Sequence, residues 1–328
     1  MATYKDIKGT SIQVVSSDPS NPVLGQIWYN TTSQSLKGLG VSSVGAWSTG
    51  GNLGAGRYGL AGAGTQTAGL AVSGEASPGL TNATEEYNGS SWSGGGNLGT
   101  TRYGLVGTGT QTAGLVMGGK TTPNAATKTT ATEEYDGSSW TNGGALTTAR
   151  FFLGSAGTQT AGLAFGGDIT TASTAATEEY GGTSWTNGGN MGTARNALAA
   201  AGTQTAGLAI GGSPAGNNET NACEEYDGSS WTAGGNMNTA IRYLAGAGTQ
   251  TAALSFGGLG SGVPVQTEEY DGSSWTTGVN LNSARLRLGG GGTQTSALAF
   301  GGAPGPNKAL TEEFNGAGSP TTVTLSGS

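Results

Sequence analysis

The sequence predicts an all-β fold built from six copies of one four-stranded unit. Each copy contains a tryptophan, and a glutamine follows that tryptophan at the same distance in every copy. The tryptophans are Trp47, Trp92, Trp140, Trp185, Trp231 and Trp275, and the glutamines are Gln66, Gln111, Gln159, Gln204, Gln250 and Gln294. A constant internal spacing with a period of about 45 residues indicates one folding unit used repeatedly. No long apolar stripe with the helical period of about 3.6 residues interrupts the pattern.

Four short strands account for one unit. The first is rich in Gly and Ala (residues 58–64), and the second alternates apolar residues before it ends in Gly-Gly (residues 161–167). The third is Thr-Glu-Glu-Tyr (residues 132–135), and the fourth carries Ser139 and Trp140. Asp136-Gly137 lies between the last two strands, and this dipeptide is a strong hairpin signal because Gly tolerates positive φ. The unit is therefore predicted to be an antiparallel meander.

Six such meanders must stack on one another, because one small four-stranded sheet cannot bury both of its faces. Radial stacking brings the first strands around a central channel, where side-chain room is least, and this explains their Gly and Ala content. Leu163 and Phe165 lie two residues apart and therefore on one face, which is expected to pack against the next sheet. Each tryptophan buries about 150–250 Å² at roughly 25 cal/mol per Å², which amounts to several kcal/mol. The predicted arrangement is a six-bladed β-propeller.

The repeat resembles the kelch repeat. The resemblance rests on Phe165-Gly166-Gly167 at the end of an apolar strand, on Glu-Glu-Tyr-Asp at residues 133–136, and on Trp140 with a downstream Arg150. It covers about residues 42–316 and implies four-stranded antiparallel blades whose second-to-third and inter-blade loops form a binding face. The repeat residues expected to serve the structure are the six tryptophans with Arg57, Arg102, Arg150, Arg195 and Arg285. The departures from the pattern are Ser73 for the first Gly, Phe314 for Tyr, and Ile241 for Arg, with Arg242 one place later.

The ring is expected to close with a strand from the N-terminal side of the repeats. The sixth copy supplies three strands up to Phe314 but has Ser319 where a tryptophan is due, whereas Trp47 belongs to a fourth strand without the other three. Residues 44–50 are therefore predicted to pair with residues 309–315. The alternative is a seventh blade built from residues 25–48 and 321–325. Residues 42–328 are assigned to the propeller, including a short C-terminal tail.

Residues 1–41 do not belong to the repeat and are predicted to form an N-terminal segment with a β-hairpin. Residues 18–38 contain Gly-Gln-Ile-Trp-Tyr-Asn, a polar Thr-Thr-Ser-Gln-Ser turn and Ser-Leu-Lys-Gly. This pattern is similar to segments near the N-termini of tail-fibre and virion structural proteins of tailed bacteriophages. The resemblance implies that residues 1–41 attach the chain to other virion proteins. The alternative is that the hairpin only covers an edge of the propeller.

Composition and charge exclude several classes of function. The chain of 328 residues has a net charge of −7 and no basic stretch, so nucleic acid is not an expected partner. It has no membrane-length apolar run, and its polar N-terminus lacks the apolar region of a signal peptide, so neither membrane insertion nor Sec export is expected. It has no histidine and one cysteine, Cys223, which excludes internal disulfides and histidine-dependent catalysis. Carboxylates suit at most a weak Ca²⁺ site, and no cofactor or metal is expected.

Each copy carries two adjacent glutamates in its third strand, such as Glu133-Glu134. Paired carboxylates can perform acid–base chemistry on a glycosidic bond. Successive strand residues point to opposite faces, however, so the two members of a pair cannot converge on one bond. The pairs recur with six arginines, counting Arg242, and the structural interpretation is one glutamate bound to a repeat arginine or to backbone amides and the other solvated. The chain is therefore not expected to be an enzyme.

The copies differ from one another mainly at one end. The Thr-Gln-Thr and Asp-Gly-Ser-Ser turns hardly change, whereas the connection from Gly-Gly to Glu-Glu differs in length and composition, as do the positions after the repeat arginine. The candidate binding-face residues are Tyr58, Tyr103, Phe151, Phe152, Asn196, Arg242, Tyr243, Leu286 and Arg287. Loops on a rigid scaffold can diverge without disturbing its core, which favours a recognition face. Drift in tolerant loops is the alternative.

These features predict a non-enzymatic bacteriophage virion structural protein, in or near the tail fibre. Its propeller face would bind a host-surface glycan or another virion protein. The chain would be made in the host cytoplasm and act at the surface of the particle, with a homo-oligomer in the assembly left open. The alternative is a cellular kelch-type propeller that binds protein or carbohydrate. A carbohydrate-active enzyme is disfavoured by the residue inventory.

Overall fold

The structure is a computed structural model, and it describes residues 12–23, 25–41, 44–122, 127–169, 172–214, 218–260, 266–303, 309–317 and 320–325. The chain divides into two compact units. We call Met1–Gly45 together with Gly316–Ser328 the terminal unit, and Ala46–Asn315 the repeat unit. The described residues form strands, turns and bends but no helix, so they contain no helix that could cross a membrane.

The described part of the repeat unit contains six four-stranded sheets, numbered here by the order of their first strands. The first strands are Ala61–Gly64, Val106–Thr110, Gly154–Gly157, Ala199–Thr203, Ala245–Gly248 and Gly289–Thr293. The second strands are Gly69–Val72, Ala113–Met117, Gly162–Phe165, Ala206–Ile210, Ala253–Phe256 and Ser296–Phe300. The third strands are Thr84–Tyr87, Thr132–Tyr135, Thr177–Tyr180, Cys223–Tyr226, Thr267–Tyr270 and Thr311–Asn315. The fourth strands are Trp92–Gly94, Trp140–Asn142, Trp185–Asn187, Trp231–Ala233, Trp275–Thr277 and, for sheet six, Ala46–Thr49.

Sheet six takes its fourth strand from the part of the chain that precedes sheet one. Ala46–Thr49 pairs antiparallel with Thr311–Asn315, and Trp47 stands opposite Phe314 with the two ring centroids 5.1 Å apart. The predicted pairing of residues 44–50 with residues 309–315 is confirmed over these two strands. In all six sheets the neighbouring strands are antiparallel and follow the order first, second, third, fourth.

The first strands contact one another in cyclic order, because the first strand of sheet six also contacts that of sheet one. Their small residues are explained by this close approach. A Cβ added to Gly62 would lie 2.5 Å from the carbonyl oxygen of Gly290, and one added to Gly246 would lie 2.6 Å from that of Ala200. Backbones come this close only where side chains are absent or minimal. The repeated antiparallel sheets are compatible with a β-propeller.

The hydrophobic core lies between successive sheets. Leu163 and Phe165, in the second strand of sheet three, are fully buried and pack with Ala209, Tyr226 and Trp231 of sheet four. The ring centroids of Phe165 and Trp231 are 4.7 Å apart. The expectation that this face of the second strand packs against the next sheet is therefore confirmed.

The strands are shorter than the sequence predicted. The predicted first strand at residues 58–64 begins only at Ala61, and Tyr58 forms an isolated bridge instead. Gly167 lies beyond the end of a second strand with a φ of 98°, and a Cβ there would lie 2.9 Å from the Cβ of Leu153. The Gly-Gly pair therefore ends the strand. Two short strand pairs follow at this end, Glu75–Ala76 with Gly79–Leu80 and Ile241–Arg242 with Leu259–Gly260.

The terminal unit contains one four-stranded sheet. Its strands, in spatial order, are Gln13–Val15, Ile27–Asn30, Ser35–Val41 and Pro320–Thr324. The first pair is parallel and the other two are antiparallel. Ile27–Asn30 and Ser35–Val41 form the hairpin that the sequence predicted. The C-terminal strand, which the sequence assigned to a propeller tail, pairs here with Ser35–Val41.

Asp18 holds the hairpin of the terminal unit together. Its carboxylate accepts hydrogen bonds from Trp28 Nε1 at 3.0 Å, Asn30 Nδ2 at 2.7 Å and Lys37 Nζ at 2.7 Å. These donors, Lys37 first, lower the pKa of Asp18 to about 2. Trp28 is fully buried. Residues 1–11, which belong to the predicted attachment segment, lie outside the described residues.

Candidate binding site

The repeat unit has two ends that differ in chemistry. Because neighbouring strands are antiparallel, the first-to-second and third-to-fourth connections lie at one end, which we call the turn end. The second-to-third connections and the connections between sheets lie at the other end, the loop end. Residues 123–126, 170–171, 215–217, 261–265 and 304–308 of the variable loops lie outside the described residues.

Six residues at the loop end, one from each repeat, are joined by a cycle of backbone hydrogen bonds. We call them the ring residues: Gly59, Gly104, Phe152, Ala197, Tyr243 and Arg287. Each N–H donates at 2.7–2.8 Å to the carbonyl oxygen of the ring residue in the preceding repeat, and the N–H of Gly59 donates to Arg287. All six have positive φ, between 50° and 63°. The cycle therefore uses the backbone N–H and C=O of every ring residue.

Four ring residues are not glycine, although their backbone conformation favours it. A non-glycine residue in the left-handed region costs roughly 1–2 kcal/mol, and such residues concentrate at functional sites. Phe152, Tyr243 and Arg287 keep this conformation and present large, half-buried side chains. Ala197 also keeps it, but it is buried and presents no such side chain.

The side chains on and beside the ring residues form one aromatic cluster. The ring centroids are 5.6 Å apart for Tyr58 and Tyr103, 5.2 Å for Tyr103 and Phe152, and 5.0 Å for Phe152 and Tyr243. All three contacts are edge-to-face, an arrangement that the quadrupoles of aromatic rings favour. Phe151 adds a fifth ring 4.7 Å from Phe152. The rings therefore hold one another in fixed orientations.

Arg287 lies over this cluster and has no counterion among the described residues. Its guanidinium carbon is 4.4 Å from the ring centroid of Tyr243 and 5.6 Å from that of Phe152. Every other arginine in the described repeat unit pairs with a glutamate. Arg287 makes no ion pair or side-chain hydrogen bond with any described residue, and its Nε, like that of the arginines in the buried pairs with glutamate, is buried without an acceptor. Cation–π contacts stabilise this placement by about 0.5–2 kcal/mol but leave the guanidinium donors free.

A small cavity lies beneath the ring residues. Its volume is about 80 Å³, and its floor consists of one leucine from each repeat: Leu60, Leu105, Leu153, Leu198, Leu244 and Leu288. Pockets for small-molecule ligands usually measure about 300–1,000 Å³. A ligand larger than a few atoms would therefore contact the outer surface of the aromatic cluster.

Charge is distributed unequally between the two ends. Among the described residues of the repeat unit, the cations outside the buried arginine–glutamate pairs are Lys120, Lys128, Arg242 and Arg287, all at the loop end. The acidic residues described at that end are Glu75, Asp168 and Glu219. The turn end carries Asp136, Asp227 and Asp271 and, in the described residues, no cation. The loop end is the less acidic end of a chain whose net charge is −7.

The structure brings most of the predicted binding-face residues together but buries two of them. Tyr103 and Phe151 are only 9% and 7% exposed, so they support the cluster more than they offer surface. Lys120 Nζ lies 3.9 Å from the ring centroid of Phe151 and covers it further. Phe152, Tyr243 and Arg287, the ring residues, present the accessible part of the cluster.

The remaining predicted positions lie around this cluster. Asn196 donates a hydrogen bond from Nδ2 to Ser173 Oγ at 2.8 Å, and Leu286 forms an isolated bridge with Ala303. Arg242 pairs with Glu219 at 3.0 Å, and its guanidinium carbon is 5.3 Å from the ring centroid of Tyr243. Neither Asn196 nor Leu286 belongs to the aromatic cluster.

The repeat arginines are buried structural residues. Arg102 donates to Glu133 Oε1 at 2.6 Å and to the carbonyls of Gly118 and Ala131 at 3.2 and 2.8 Å. The other oxygen of Glu133 accepts the N–H of Gly99 at 2.8 Å. Burial lowers the pKa of Arg102, against the opposing effect of Glu133. The equivalent pairs are Arg57–Glu85, Arg150–Glu178, Arg195–Glu224 and Arg285–Glu312. Each pair ties the connection that precedes a sheet to the third strand of that sheet.

One of the two expectations about the glutamates holds and the other is corrected. Glu268 binds backbone amides, as the sequence interpretation allowed, because Ile241 occupies the buried arginine register and Arg242 pairs with Glu219. The second glutamate of a pair was expected to be solvated, but it accepts a hydrogen bond from the neighbouring sheet. The O–H of Tyr135, for example, donates to Glu86 at 2.5 Å across the junction between sheets. The equivalent pairs are Tyr87–Glu313, Tyr180–Glu134, Tyr226–Glu179 and Tyr270–Glu225. Burial first, and then the bound glutamate, raise the pKa of each of these tyrosines to about 12.

Tryptophan and glutamine also join successive sheets, and the role of the glutamine was not predicted. Trp140 Nε1 donates to Thr84 Oγ1 at 2.9 Å. Gln111 Nε2 donates to the carbonyls of Gly69 and Tyr87 at 3.0 and 2.7 Å. The other repeat glutamines, Gln66, Gln159, Gln204, Gln250 and Gln294, make equivalent bonds. Their constant distance from the tryptophans was the signal for this role.

Cys223 is a buried structural residue. It replaces the threonine that accepts the tryptophan N–H elsewhere, and Trp275 Nε1 donates to the carbonyl of Gly235 at 3.0 Å instead. Burial raises the pKa of the Cys223 thiol to about 11. Within the described residues no group of three or more His, Cys, Asp or Glu side chains is arranged to hold a metal ion.

No protein-family model matches the sequence, and no curated protein matches it. A functional conclusion therefore depends on the residues and geometry of the chain itself.

Proposed function

We propose that this chain is a non-enzymatic structural protein of a bacteriophage virion, tail-associated, whose repeat unit is a six-bladed kelch-like propeller. Its loop end is the binding face, and the partner is a host-surface glycan or a neighbouring virion protein. The chain is made in the host cytoplasm and acts at the surface of the particle.

The six-bladed ring is supported by contacts that repeat at each junction. The backbone cycle passes through all six ring residues and returns from Arg287 to Gly59. The same kinds of side-chain bonds that join sheets one and two also join sheets six and one, since Tyr87 donates to Glu313 and Gln66 donates to the carbonyl of Phe314. A seventh blade would have to interrupt these bonds.

The binding role is supported by one observation, namely that large side chains and not only glycines stand at the ring positions. Glycine suits their backbone conformation, and Gly59 and Gly104 show that the repeat accepts it. Phe152, Tyr243 and Arg287 nevertheless stand there, at a cost in stability and with accessible side chains. Aromatic and arginine side chains are the residues that most often dominate binding energy at interfaces.

The non-enzymatic part of the proposal is supported by what the carboxylates do. The first glutamate of a pair, such as Glu133, is buried against Arg102, and the second, such as Glu134, accepts the phenol of Tyr180. Both are committed to the fold. The Cys223 thiol is buried with a raised pKa, which disfavours the reactive thiolate.

The virion role rests on the resemblance of residues 18–38 to N-terminal segments of phage tail proteins, and the observed hairpin of Ile27–Asn30 with Ser35–Val41 is consistent with it. A cellular kelch-type binding propeller is the alternative. It shares the binding face and differs in the role of the terminal unit.

Particle association tests the virion role. Phage particles purified from a culture that carries the gene should contain the chain, detected by mass spectrometry and by antibody labelling in electron micrographs. Asp18→Ala should reduce incorporation because it removes three hydrogen bonds from the terminal unit. Ser93→Ala, at an exposed position in the repeat unit, is the control and should be incorporated normally. A chain found only in the cell fraction would favour the cellular alternative.

A further inference from the structure

We infer that the loop end binds a saccharide that bears a carboxylate, with Arg287 as the carboxylate ligand and the accessible parts of the Tyr243 and Phe152 rings beside it as the apolar contact for the sugar. The inference rests on the proposed binding function and names the chemical class of its ligand.

The first argument is the missing counterion of Arg287. The other arginines of the described repeat unit are ion-paired, whereas the guanidinium of Arg287 is held over two aromatic rings with its donors unused by described residues. A planar guanidinium matches a carboxylate with two parallel hydrogen bonds. Because the rings of Tyr243 and Phe152 fix its position, little side-chain entropy remains to be lost on binding.

The second argument is the surface beside the guanidinium. Phe152 and Tyr243 make edge-to-face contact at 5.0 Å, and both are half-buried, so each ring is oriented while part of it remains accessible. The accessible apolar part of an oriented aromatic ring provides a contact area for the C–H groups of a sugar. The cavity beneath measures about 80 Å³, well below the size of a pocket that encloses a small-molecule ligand, so a sugar would rest on the outer surface of the cluster.

The third argument disfavours a peptide ligand at this position. An extended peptide gains affinity by pairing with free backbone groups at a sheet edge. The N–H and C=O of every ring residue already bond to one another in the cycle. The recognition groups that remain at the ring are side chains, and they are one cation and two aromatic rings.

Charge supports an acidic ligand rather than a neutral one. The cations described outside the buried ion pairs of the repeat unit all lie at the loop end, and two of them, Lys128 and Arg242, already pair with Asp168 and Glu219. The other two are Lys120, which lies 3.9 Å over the buried ring of Phe151, and Arg287, which lies over the half-buried rings of Tyr243 and Phe152. Arg287 is the one that is a ring residue, and two such cations suit a carboxylate but do not make a surface for a dense polyanion.

Glycine variants test the site without disturbing the ring. Gly59 and Gly104 occupy equivalent positions, so Arg287→Gly, Tyr243→Gly and Phe152→Gly should retain the backbone cycle while removing the side chains. Ala197→Gly is the matched control, because it changes the same ring position and removes no side chain from the cluster. Ala197→Gly should unfold at or above the wild-type temperature. The other three variants should keep one cooperative transition, lowered only by the lost aromatic and cation–π contacts.

Binding should be measured with the full chain on an array of glycans that contain uronic or sialic acids, alongside the same glycans after reduction of the carboxylate to an alcohol. We expect binding confined to the carboxylated members. Arg287→Gly should weaken it about thirtyfold and Tyr243→Gly about tenfold, whereas Ala197→Gly should not change it. Equal binding to the reduced glycans, absence of binding to any carboxylated member, or full retention by Arg287→Gly would each overturn the inference.

The same variants separate this inference from the proposed binding face. If Tyr243→Gly particles lose adsorption to host cells while the array shows binding to neutral glycans, the face is correct and the carboxylate chemistry is wrong. If Tyr243→Gly and Phe152→Gly particles adsorb like wild type, both the face and the inference fail.

Discussion

Repeats three and five each bury the first glutamate of their pair, but the hydrogen-bond donors that bind this glutamate differ between the two repeats. In repeat three, Glu178 binds the guanidinium of Arg150 and the N–H of Thr147. In repeat five, Ile241 replaces the arginine, and Glu268 accepts the N–H of Asn238 at 2.8 Å, its Nδ2 at 3.0 Å and the N–H of Thr239 at 3.1 Å. Glu268 is as buried as its equivalents. The comparison shows that a buried carboxylate requires hydrogen-bond donors, and that these need not carry charge.

The second glutamates of these two repeats also differ, because one has a tyrosine donor and the other does not. Glu179 accepts the phenol of Tyr226, but Glu269 faces Phe314, which has no hydroxyl, and burial raises the pKa of Glu269. Val279 stands where repeat three has Gly189, at which a Cβ would lie 2.1 Å from a carbonyl oxygen of the following turn. Sheet six takes its fourth strand from Ala46–Thr49 and lacks that turn, so a valine fits and is 41% exposed.

The largest effect should come from alkaline pH. It ionises the tyrosine at five of the junctions between sheets but changes nothing at the junction that has Phe314. The folded pKa of Tyr135 and its four equivalents is about 12, above the ordinary value of about 10. The unfolded chain therefore loses these protons first. Their contribution to stability is complete below about pH 10 and disappears as the pH rises through about 12. The absorbance of five tyrosinates and the circular dichroism should change together in that window. Ionisation of more than the other five of the ten tyrosines while the sheets are intact would contradict the assignment.

Removing the guanidinium of repeat three should be the most damaging single substitution. Arg150→Met leaves Glu178 buried without its charge partner, and we expect a loss of about 3–5 kcal/mol in the free energy of unfolding. Urea unfolding followed by tryptophan fluorescence measures it. Arg242→Met is the control, because its partner Glu219 is partly exposed, and it should cost less than about 1 kcal/mol. Similar losses from both variants would argue that the buried pair has no special role.

Replacing each buried glutamate by glutamine should lower the free energy of unfolding by different amounts in the two repeats, because their donors differ in charge. Glu178→Gln leaves the cation of Arg150 buried and should cost about 3 kcal/mol. Glu268→Gln leaves only neutral donors from Asn238 and Thr239 and should cost about 1 kcal/mol. Urea midpoints of the two variants give the comparison. A cost at Glu268 equal to that at Glu178 would mean that a distant positive charge, rather than the local N–H groups, holds the carboxylate.

The smallest effects should come from exchanging phenol and phenyl. Tyr180→Phe removes the hydrogen bonds to Glu134 and to the N–H of Gly144 and should destabilise by about 1.5 kcal/mol. Phe314→Tyr supplies the missing donor to Glu269 and should stabilise by about 1 kcal/mol. Melting temperatures should move in opposite directions. A fall for Phe314→Tyr would show that Val279 excludes the hydroxyl.

The sequence predicted the elements of the repeat but not the bonds between repeats. The Asp136-Gly137 turn and the missing tryptophan of the sixth copy correctly predicted the hairpin of the third and fourth strands and the pairing of the Trp47 strand with the Phe314 strand. The predicted limits of the first and second strands at the loop end extended two to three residues too far. Strand alternation indicates which face a residue occupies but not which neighbour meets it. The partner of Tyr135 on the preceding sheet could therefore not be predicted. The joint change of Phe314 and Val279 at one junction did indicate that these positions meet between sheets.

The position of the aromatic cluster at the loop end could be predicted from the sequence, but its arrangement could not. Variation after the repeat arginine indicated the loop end, because those residues are free to differ between copies. The backbone conformation that separates Phe152 and Tyr243 from the more buried Phe151 depends on hydrogen bonds to the neighbouring repeats, which no single copy reveals. The pairing of Pro320–Thr324 with Ser35–Val41 joins segments at opposite ends of the chain and had no local sequence signal.

The cycle of ring residues also has a consequence for the order in which the chain folds. Five of the junctions join repeats that follow one another, as Gln111 and Tyr87 do across 24 residues. The junction between sheets one and six joins Gln66 to Phe314 across 248 residues. Loop-closure entropy rises by about 0.6 kcal/mol for each doubling of length, so this junction costs roughly 2 kcal/mol more to form. Folding should therefore proceed through an open row of sheets, and the late closing step should set the rate at which the native ring appears.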